Sequence, residues 1–308
     1  MSLQVLDDVR LNFSPGSLLV MNVILAFVMF GIALRMDFSD FRNVARHPRS
    51  FLTGVLSQFV LLPAVTFLLC MALRPFLSLS VALGMILVAA CPGGNISNFI
   101  TALAKENVPL SVSLSAFSTL ICVVMTPLNF SFWGNWYSHA SHLVLPIEIN
   151  FVEMLQTVLI LLGIPIVAGI FFARYFPAVT RKLIRPMNIL SIIAFVGFVA
   201  AALAANFGYF LKYIHLIGIV VVLHNALALL GGYAFGCVNR LSRQDVHTVA
   251  IETGIQNSGL GLVLIFNPRL FDGLGGMAFV AAWWGVWHIV SGMCMAFIWR
   301  KRNSKYRL

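Results

Sequence analysis

Apolar residues along this chain gather into long runs separated by short polar links. Nine runs are predicted to cross a bilayer as helices, at 17–36, 50–73, 78–104, 109–133, 150–172, 187–207, 214–236, 247–268 and 277–299. A membrane-spanning helix needs about 20 mostly apolar residues, and each run meets that length. In hydrocarbon every backbone N–H and C=O must be paired within the protein, which a helix does along its own length. The pattern predicts an all-α integral membrane protein of nine transmembrane helices. Residues 1–16 then form an extracytoplasmic tail, 17–299 the membrane domain and 300–308 a basic cytoplasmic tail. No long linker or second domain is visible.

Two of the runs carry breaks. The third contains Cys91-Pro92-Gly93-Gly94-Asn95-Ile96-Ser97-Asn98, and the eighth contains Glu252-Thr253-Gly254-Ile255-Gln256-Asn257-Ser258-Gly259. Proline removes a backbone donor and clashes with the preceding turn, and glycine weakens a helix interior. Backbone groups freed in this way must be buried in protein or line a cavity. Glu252 is the sharper signal. A carboxylate at this depth costs about 2.5–3.5 kcal/mol on insertion scales. No Lys or Arg lies in the same run, so a bound cation is its expected partner.

Composition supports the membrane reading. Hydrophobic residues make up 60% of the 308 and charged residues 10%, against about 25% charged in soluble domains. Mean hydropathy is +0.95. The net charge of +10 has the sign of a nucleic-acid-binding protein, but its placement excludes that. With the N-terminus outside, the inside links hold Arg35, Arg42, Arg46 and Arg49; Lys105; Arg174, Arg181, Lys182 and Arg185; Arg240 and Arg243; and the tail from Arg300 to Arg307. The outside keeps Arg10, Arg74, Lys212 and Arg269. Sixteen of the 20 basic residues thus lie on one side. That asymmetry follows the positive-inside rule and fixes the C-terminus in the cytoplasm.

Smaller features fit the same picture. Asp7, Asp8 and Arg10 stand where a cleaved leader would need a basic segment and an apolar core, so none is expected. Asn12-Phe13-Ser14 is a glycosylation triplet on the predicted outside. Cys70, Cys91, Cys122, Cys237 and Cys294 lack metal-ligand spacing and read as small core residues. Trp133, Trp136, Tyr137 and Trp299 fall at run ends, as an interfacial belt would. Trp283, Trp284 and Trp287 read as packing residues.

By this topology the third span runs inward and the eighth outward. They lie five spans apart, and an odd offset inverts a repeat. Paired broken helices in inverted positions are the best sequence pointer to a transporter site. Half-helix C-termini there offer carbonyl oxygens to a cation, and half-helix N-termini favour an anionic group. A hard cation prefers oxygen ligands. Glu252, Ser97, Asn98, Ser111 and Ser115 are the candidates. Ser111 and Ser115 share a helix face, which Ser118 extends. Small residues also serve tight helix packing, but a broken helix and Glu252 nearby favour the ion. Gln58 and Gln256 are either interhelical hydrogen-bond formers or ligands of a second cation. His224-Asn225 reads as a hydrogen-bonded packing pair, and His47, His139, His142, His215 and His247 as surface or interfacial residues.

These residues resemble the bile acid:sodium symporter family. The resemblance rests on Cys91 to Asn98, on Glu252 to Asn257 and on Gln58 upstream, and it extends over roughly residues 20–299. It is closer to the nine-span form than to the ten-span bacterial form, which has one more N-terminal span. The resemblance implies two inverted repeats whose broken helices cross, divided into a panel (17–49 and 150–207) and a core (50–133 and 214–299). It implies alternating access, with substrate in the crevice between them. It also implies two sodium sites. The first is Ser97, Asn98, Ser111, Ser115 and Glu252; the second is Gln58, Glu252, Thr253, Ile255 and Gln256, with backbone oxygens from Thr253 and Ile255. Ser115 stands where the family often has Thr, and the hydroxyl is kept. Asn95, Asn257 and His288 are the substrate contacts by this route; the family's His-Asn pair is His288-Ile289 here.

The function this implies is sodium-coupled symport of an amphipathic organic anion such as taurocholate, across a bacterial inner membrane or a plasma membrane. The alternative is a smaller organic acid (pantothenate, pantoate or a 2-keto acid) or a sulfated steroid. An intramembrane enzyme is disfavoured, because no Ser/His or paired Asp arrangement sits on adjacent spans. A channel would show a filter repeat or a charged ring, and a sensor an attached signalling domain; neither is seen.

Overall fold

A computed structural model describes residues 3–7, 15–34, 48–94, 96–141, 150–205, 207–271 and 273–305. Asn95, the Asn12 triplet and the basic link with Arg35, Arg42 and Arg46 lie outside the described residues. The described chain is all-α. Its helices are α1 (Pro15–Ala33), α2 (Pro48–Leu56), α3 (Leu62–Ala72), α4 (Leu79–Ala90), α5 (Ile96–Ala104), α6 (Val108–Ser141) and α7 (Phe151–Val158). They continue with α8 (Ile164–Tyr175), α9 (Pro177–Ala205), α10 (Phe207–Val238), α11 (Arg243–Gly254), α12 (Ser258–Ile265) and α13 (Gly275–Lys305). Among the described residues, five helical stretches are long and apolar enough to cross a membrane: Pro48–Ala72, Val108–Ser141, Phe151–Tyr175, Ile217–Val238 and Gly275–Lys301. Asn22–Ala33 and Leu79–Ala90 are apolar but shorter.

Both predicted breaks are present. The third run is split into α4 and α5, and the eighth into α11 and α12. Polar side chains start the pieces: Ser78 caps α4, Ser242 caps α11 and Asn257 caps α12, each accepting a first-turn N–H. Asp7, at the end of a short 3-10 turn (Leu3–Asp7), adds its carboxylate to the α4 N-terminus, accepting from Ser80 N at 2.8 Å. That placement suits the positive end of the helix dipole.

Two helices widen instead of breaking. Before Pro63 the chain makes a π-turn over Ser57–Leu61, with the Leu62 N–H donating to Ser57 O. Before Pro165 the same happens over Leu159–Gly163, with the Ile164 N–H donating to Leu159 O. Proline lacks an N–H and presses on the carbonyl four residues back. A wider turn relieves both problems without ending the helix.

The core centres on α4, every residue of which is buried. It packs on α13, where Gly84 admits the backbone of Met277: a Cβ at Gly84 would lie 2.7 Å from Met277 Cα. Elsewhere α1 packs on α8 and α9, and Gly169 lets α8 close on α1. Phe30 and Phe172 meet edge to face across that seam at 5.7 Å.

Several expectations need correction. Cys237 and Cys294 are exposed, whereas Cys70, Cys91 and Cys122 are buried as expected. Trp136 is exposed and stacks on Trp133, but Tyr137 and Trp299 are buried in protein. His247 is also buried: its Nδ1 lies 2.7 Å from Glu106 Oε1, and its ring stacks on Trp299 at 4.0 Å. A helix end was the only cue to these residues, and packing of neighbouring ends covered them. Helix α6 runs to Ser141, beyond the predicted boundary at 133.

The α4–α13 seam yields a test. Gly84→Ala forces two backbones apart and is expected to cost about 2 kcal/mol, in the range of overpacked cores. Gly197→Ala has nothing within 4 Å of the new methyl among the described residues and is expected to be neutral or stabilising, by up to about 1 kcal/mol. Melting temperatures of the two variants in detergent check the contrast.

Candidate functional site

The two breaks meet. Gly93 and Gln256 form an antiparallel bridge. Gly94 N donates to Ile255 O at 2.8 Å, and Asn257 N donates to Pro92 O at 2.8 Å. The backbone groups freed at each break are thus paired with those freed at the other, as buried polar backbone requires. Glycine is needed here. A Cβ at Gly93 would stand 2.6 Å from Gln58 Nε2 and 3.1 Å from Glu252 Oε2, and one at Gly94 would stand 3.1 Å from Gln256 O.

Glu252, in the last turn of α11, is fully buried beside this crossing. Among the described residues no Lys, Arg or His pairs with it. Its Oε1 accepts from Ser97 Oγ at 2.5 Å and from Ser111 Oγ. Ser115 Oγ lies 3.1 Å from Oε2 and 3.3 Å from Oε1. Asn98 Oδ1 closes the group, 2.8 Å from Ser111 Oγ and 3.3 Å from Ser115 Oγ. Ser97 and Ser115 hydroxyls are 3.2 Å apart. A hydroxyl brings one hydrogen, and three hydroxyls cannot bridge all these oxygen pairs at once. Oxygens crowded beyond their hydrogens fit a hard cation.

A second group forms on the other side of the carboxylate. Gln58 Nε2 lies 3.1 Å from Glu252 O and 3.4 Å from Glu252 Oε2. Gln256 Nε2 donates to Thr253 O at 2.9 Å. The two amide oxygens, Gln58 Oε1 and Gln256 Oε1, are buried with no hydrogen-bond partner among the described residues. Buried polar atoms are rarely left so. Two orphaned amide oxygens, one on a side chain that touches Glu252 and one on a side chain that touches Thr253 O, suit a second cation.

The structure thus brings together Ser97, Asn98, Ser111, Ser115 and Glu252, and sets Gln58, Thr253, Ile255 and Gln256 beside them. Ser118 does not join: its hydroxyl turns back to Ser115 O. Of the substrate candidates, Asn95 lies outside the described residues. Asn257 is half-buried and spends its Oδ1 on Leu260 N as the α12 cap. His288 is buried on α13, between Gly285, which packs on Ser258, and Gly292, which packs on Ile255.

Sequence reasoning missed Ser57 and underrated Asn225. Ser57 Oγ lies 2.7 Å from Thr253 Oγ1, and the π-turn is what lets Ser57 and Gln58 both reach α11. The Pro63 that causes this turn was the available signal. Asn225 does not pair with His224. It donates to Gly254 O at 2.8 Å, while His224 Nε2 lies 2.7 Å from Thr66 Oγ1.

Comparison with known proteins places this architecture. The chain is 34% identical over 288 residues to the uncharacterized sodium-dependent transporter YocS of Bacillus subtilis, covering 92% of this chain and 84% of the relative. It is 32% identical over 289 residues to the probable sodium/metabolite cotransporter BASS1, chloroplastic, of Arabidopsis thaliana, covering 91% of this chain and 67% of the relative. It is 28% identical over 260 residues to the P3 protein of Homo sapiens, covering 82% of this chain and 52% of that relative. Residues 22–213 match the family described as Sodium Bile acid symporter family. With its paired breaks, buried carboxylate and these relatives, the chain belongs to the sodium bile acid symporter family, a family of sodium-dependent transporters.

Proposed function

We propose that this chain is a secondary active symporter that couples sodium entry to uptake of an amphipathic organic anion of the bile acid class. The observation that carries the proposal is Glu252: a buried carboxylate with no basic partner among the described residues, ringed by hydroxyl and amide oxygens. The first sodium ion binds Ser97, Asn98, Ser111, Ser115 and Glu252. The second binds Gln58, Glu252, Gln256 and the carbonyls of Thr253 and Ile255. One carboxylate serves both, so the two sites are coupled and transport needs both ions in place.

The chain crosses a cell-surface membrane nine times, with its N-terminus outside and its C-terminus in the cytoplasm. Support comes from the sixteen-to-four distribution of basic residues. The two broken helices are the equivalent elements of an inverted repeat, a reading supported by their antiparallel crossing. The panel is 17–49 with 150–207, and the core is 50–133 with 214–299. Transport proceeds by alternating access, with the core moving against the panel. The substrate's acid group is bound by Asn95, Asn257 and His288, the contacts that the family resemblance implies, and half-helix N-termini favour an anion there.

A second cargo has support of its own. Plant relatives carry the name sodium/metabolite cotransporter, and His288 is followed by Ile289 instead of Asn. A smaller acid such as pantothenate, pantoate or a 2-keto acid, or a sulfated steroid, is the alternative on the same ion sites.

Labelled taurocholate uptake into proteoliposomes tests the first reading, with an inward sodium gradient set against an equal potassium one. Sodium-dependent accumulation is expected, and Glu252→Gln is expected to abolish it while the protein still inserts. Retained sodium-dependent uptake in that variant would sink the shared-carboxylate proposal. Sodium-stabilised protein that accumulates no taurocholate points to the smaller acids. Two coupled ions also predict a sigmoidal sodium dependence. Gln58→Leu is expected to lower its Hill coefficient from near 2 toward about 1, since cooperativity is bounded by the number of sites. A wild-type curve that is already hyperbolic would count against the second site.

A further inference from the structure

The C-terminal end of α11 exposes carbonyls that a continuous helix would have satisfied. The last regular bond runs from Ile255 N to Ile251 O, and each carbonyl beyond it finds a donor outside the helical pattern: Ile255 O accepts from Gly94 N and Gln256 O from Ser258 N. Glu252 O lies by Gln58 Nε2, Thr253 O by Gln256 Nε2, and Gly254 O by Asn225 Nδ2 at 2.8 Å. Three side-chain amides therefore hold three successive carbonyls. Gln58 and Gln256 belong to the proposed second ion site. Asn225, on α10, does not.

Asn225 is fully buried, and its orientation is fixed from both ends. Its Oδ1 accepts from Ser291 Oγ of α13 at 2.6 Å. A reversed amide would set two acceptors, Oδ1 and Gly254 O, against each other. The reach is short because α10 lies close on α11. A Cβ at Gly232 would stand 2.8 Å from Thr253 Oγ1, and one at Gly254 would collide with the Leu229 side chain. Ser291, Asn225 and Gly254 thus form a relay from α13 through α10 to the point where α11 ends.

We propose that Asn225, oriented by Ser291, is a positioning residue for sodium coupling. By holding the Gly254 carbonyl, it withdraws that oxygen from the ion and turns the flanking Thr253 and Ile255 carbonyls toward it. This rests on the sodium reading above. Without the amide, Gly254 O is buried and unpaired. The segment then shifts to find a donor, and the neighbouring carbonyls lose their aim. Outer-shell partners of metal ligands matter in the same way.

The test is melting of the purified full chain in detergent, titrated with sodium chloride against potassium chloride at equal ionic strength. The variants are Asn225→Leu, Ser291→Ala and Ser291→Thr. Asn225→Leu is expected to raise the sodium concentration for half-maximal stabilisation about tenfold, the low end for loss of an outer-shell hydrogen bond. Ser291→Ala is expected to shift it in the same direction by less, and Ser291→Thr, which keeps the hydroxyl, to restore the wild-type value. A purely structural role would lower melting in potassium and leave the sodium midpoint unmoved, and that result overturns the proposal. Should Asn225→Leu not fold, the Ser291→Ala and Ser291→Thr pair decides alone. Wild-type protein that gains nothing from sodium defeats the sodium reading itself. Wild-type protein that responds, with variants that match it, defeats this inference only.

Discussion

The backbone at the two breaks has only the other break, and a few side chains, to bond with. Water is not at hand in a membrane interior, and each unpaired backbone group there costs several kcal/mol, roughly. The exchange between Gly94 N and Ile255 O, and between Asn257 N and Pro92 O, resolves that demand at one point. Much else follows from it. Gly93 must lack a side chain because Gln58 and Glu252 press against it. Glu252 sits beside the crossing because α11 stops there, two residues later at Gly254. The hydroxyls of Ser97, Ser111 and Ser115 converge there because α5 starts, and α6 passes, at the same level.

How much of this was legible in the sequence depended on the cost of each residue's bland alternative. Glu252 in an apolar run has no cheap alternative, so it announces a site. Pro92 with two glycines in the middle of a run has few. Ser97, Asn98, Ser111 and Ser115 became readable only beside these. Ser57 and Ser291 did not, because a serine in a membrane helix can simply pack. The π-turn that aims Ser57 depends on how the chain accommodates Pro63, a choice between kink, break and widening that three-dimensional packing settles. His247 and Trp299 were misread for a related reason. Position at a run end predicts an interface, but three helix ends packed together make a small interior of their own.

The hydroxyl-rich lining of Glu252 has a consequence for how a coupled carrier operates. A buried carboxylate stripped of its counter-ion is strongly destabilising when its other neighbours offer nothing in exchange. Here they do. A serine hydroxyl both donates and accepts. Without an ion, Ser97, Ser111 and Ser115 can turn hydrogens to the carboxylate, whose oxygens lie within hydrogen-bond reach of theirs. With an ion present, the same oxygens can present lone pairs by rotating about a single bond. Lysine or arginine in their place would satisfy the empty state so well that a cation could not compete. Asparagine amides would offer an oxygen but leave two N–H groups to place. On the proposed function, the three serines are therefore suited to a carrier that must exist both loaded and empty. Neither state then leaves a naked charge in the membrane.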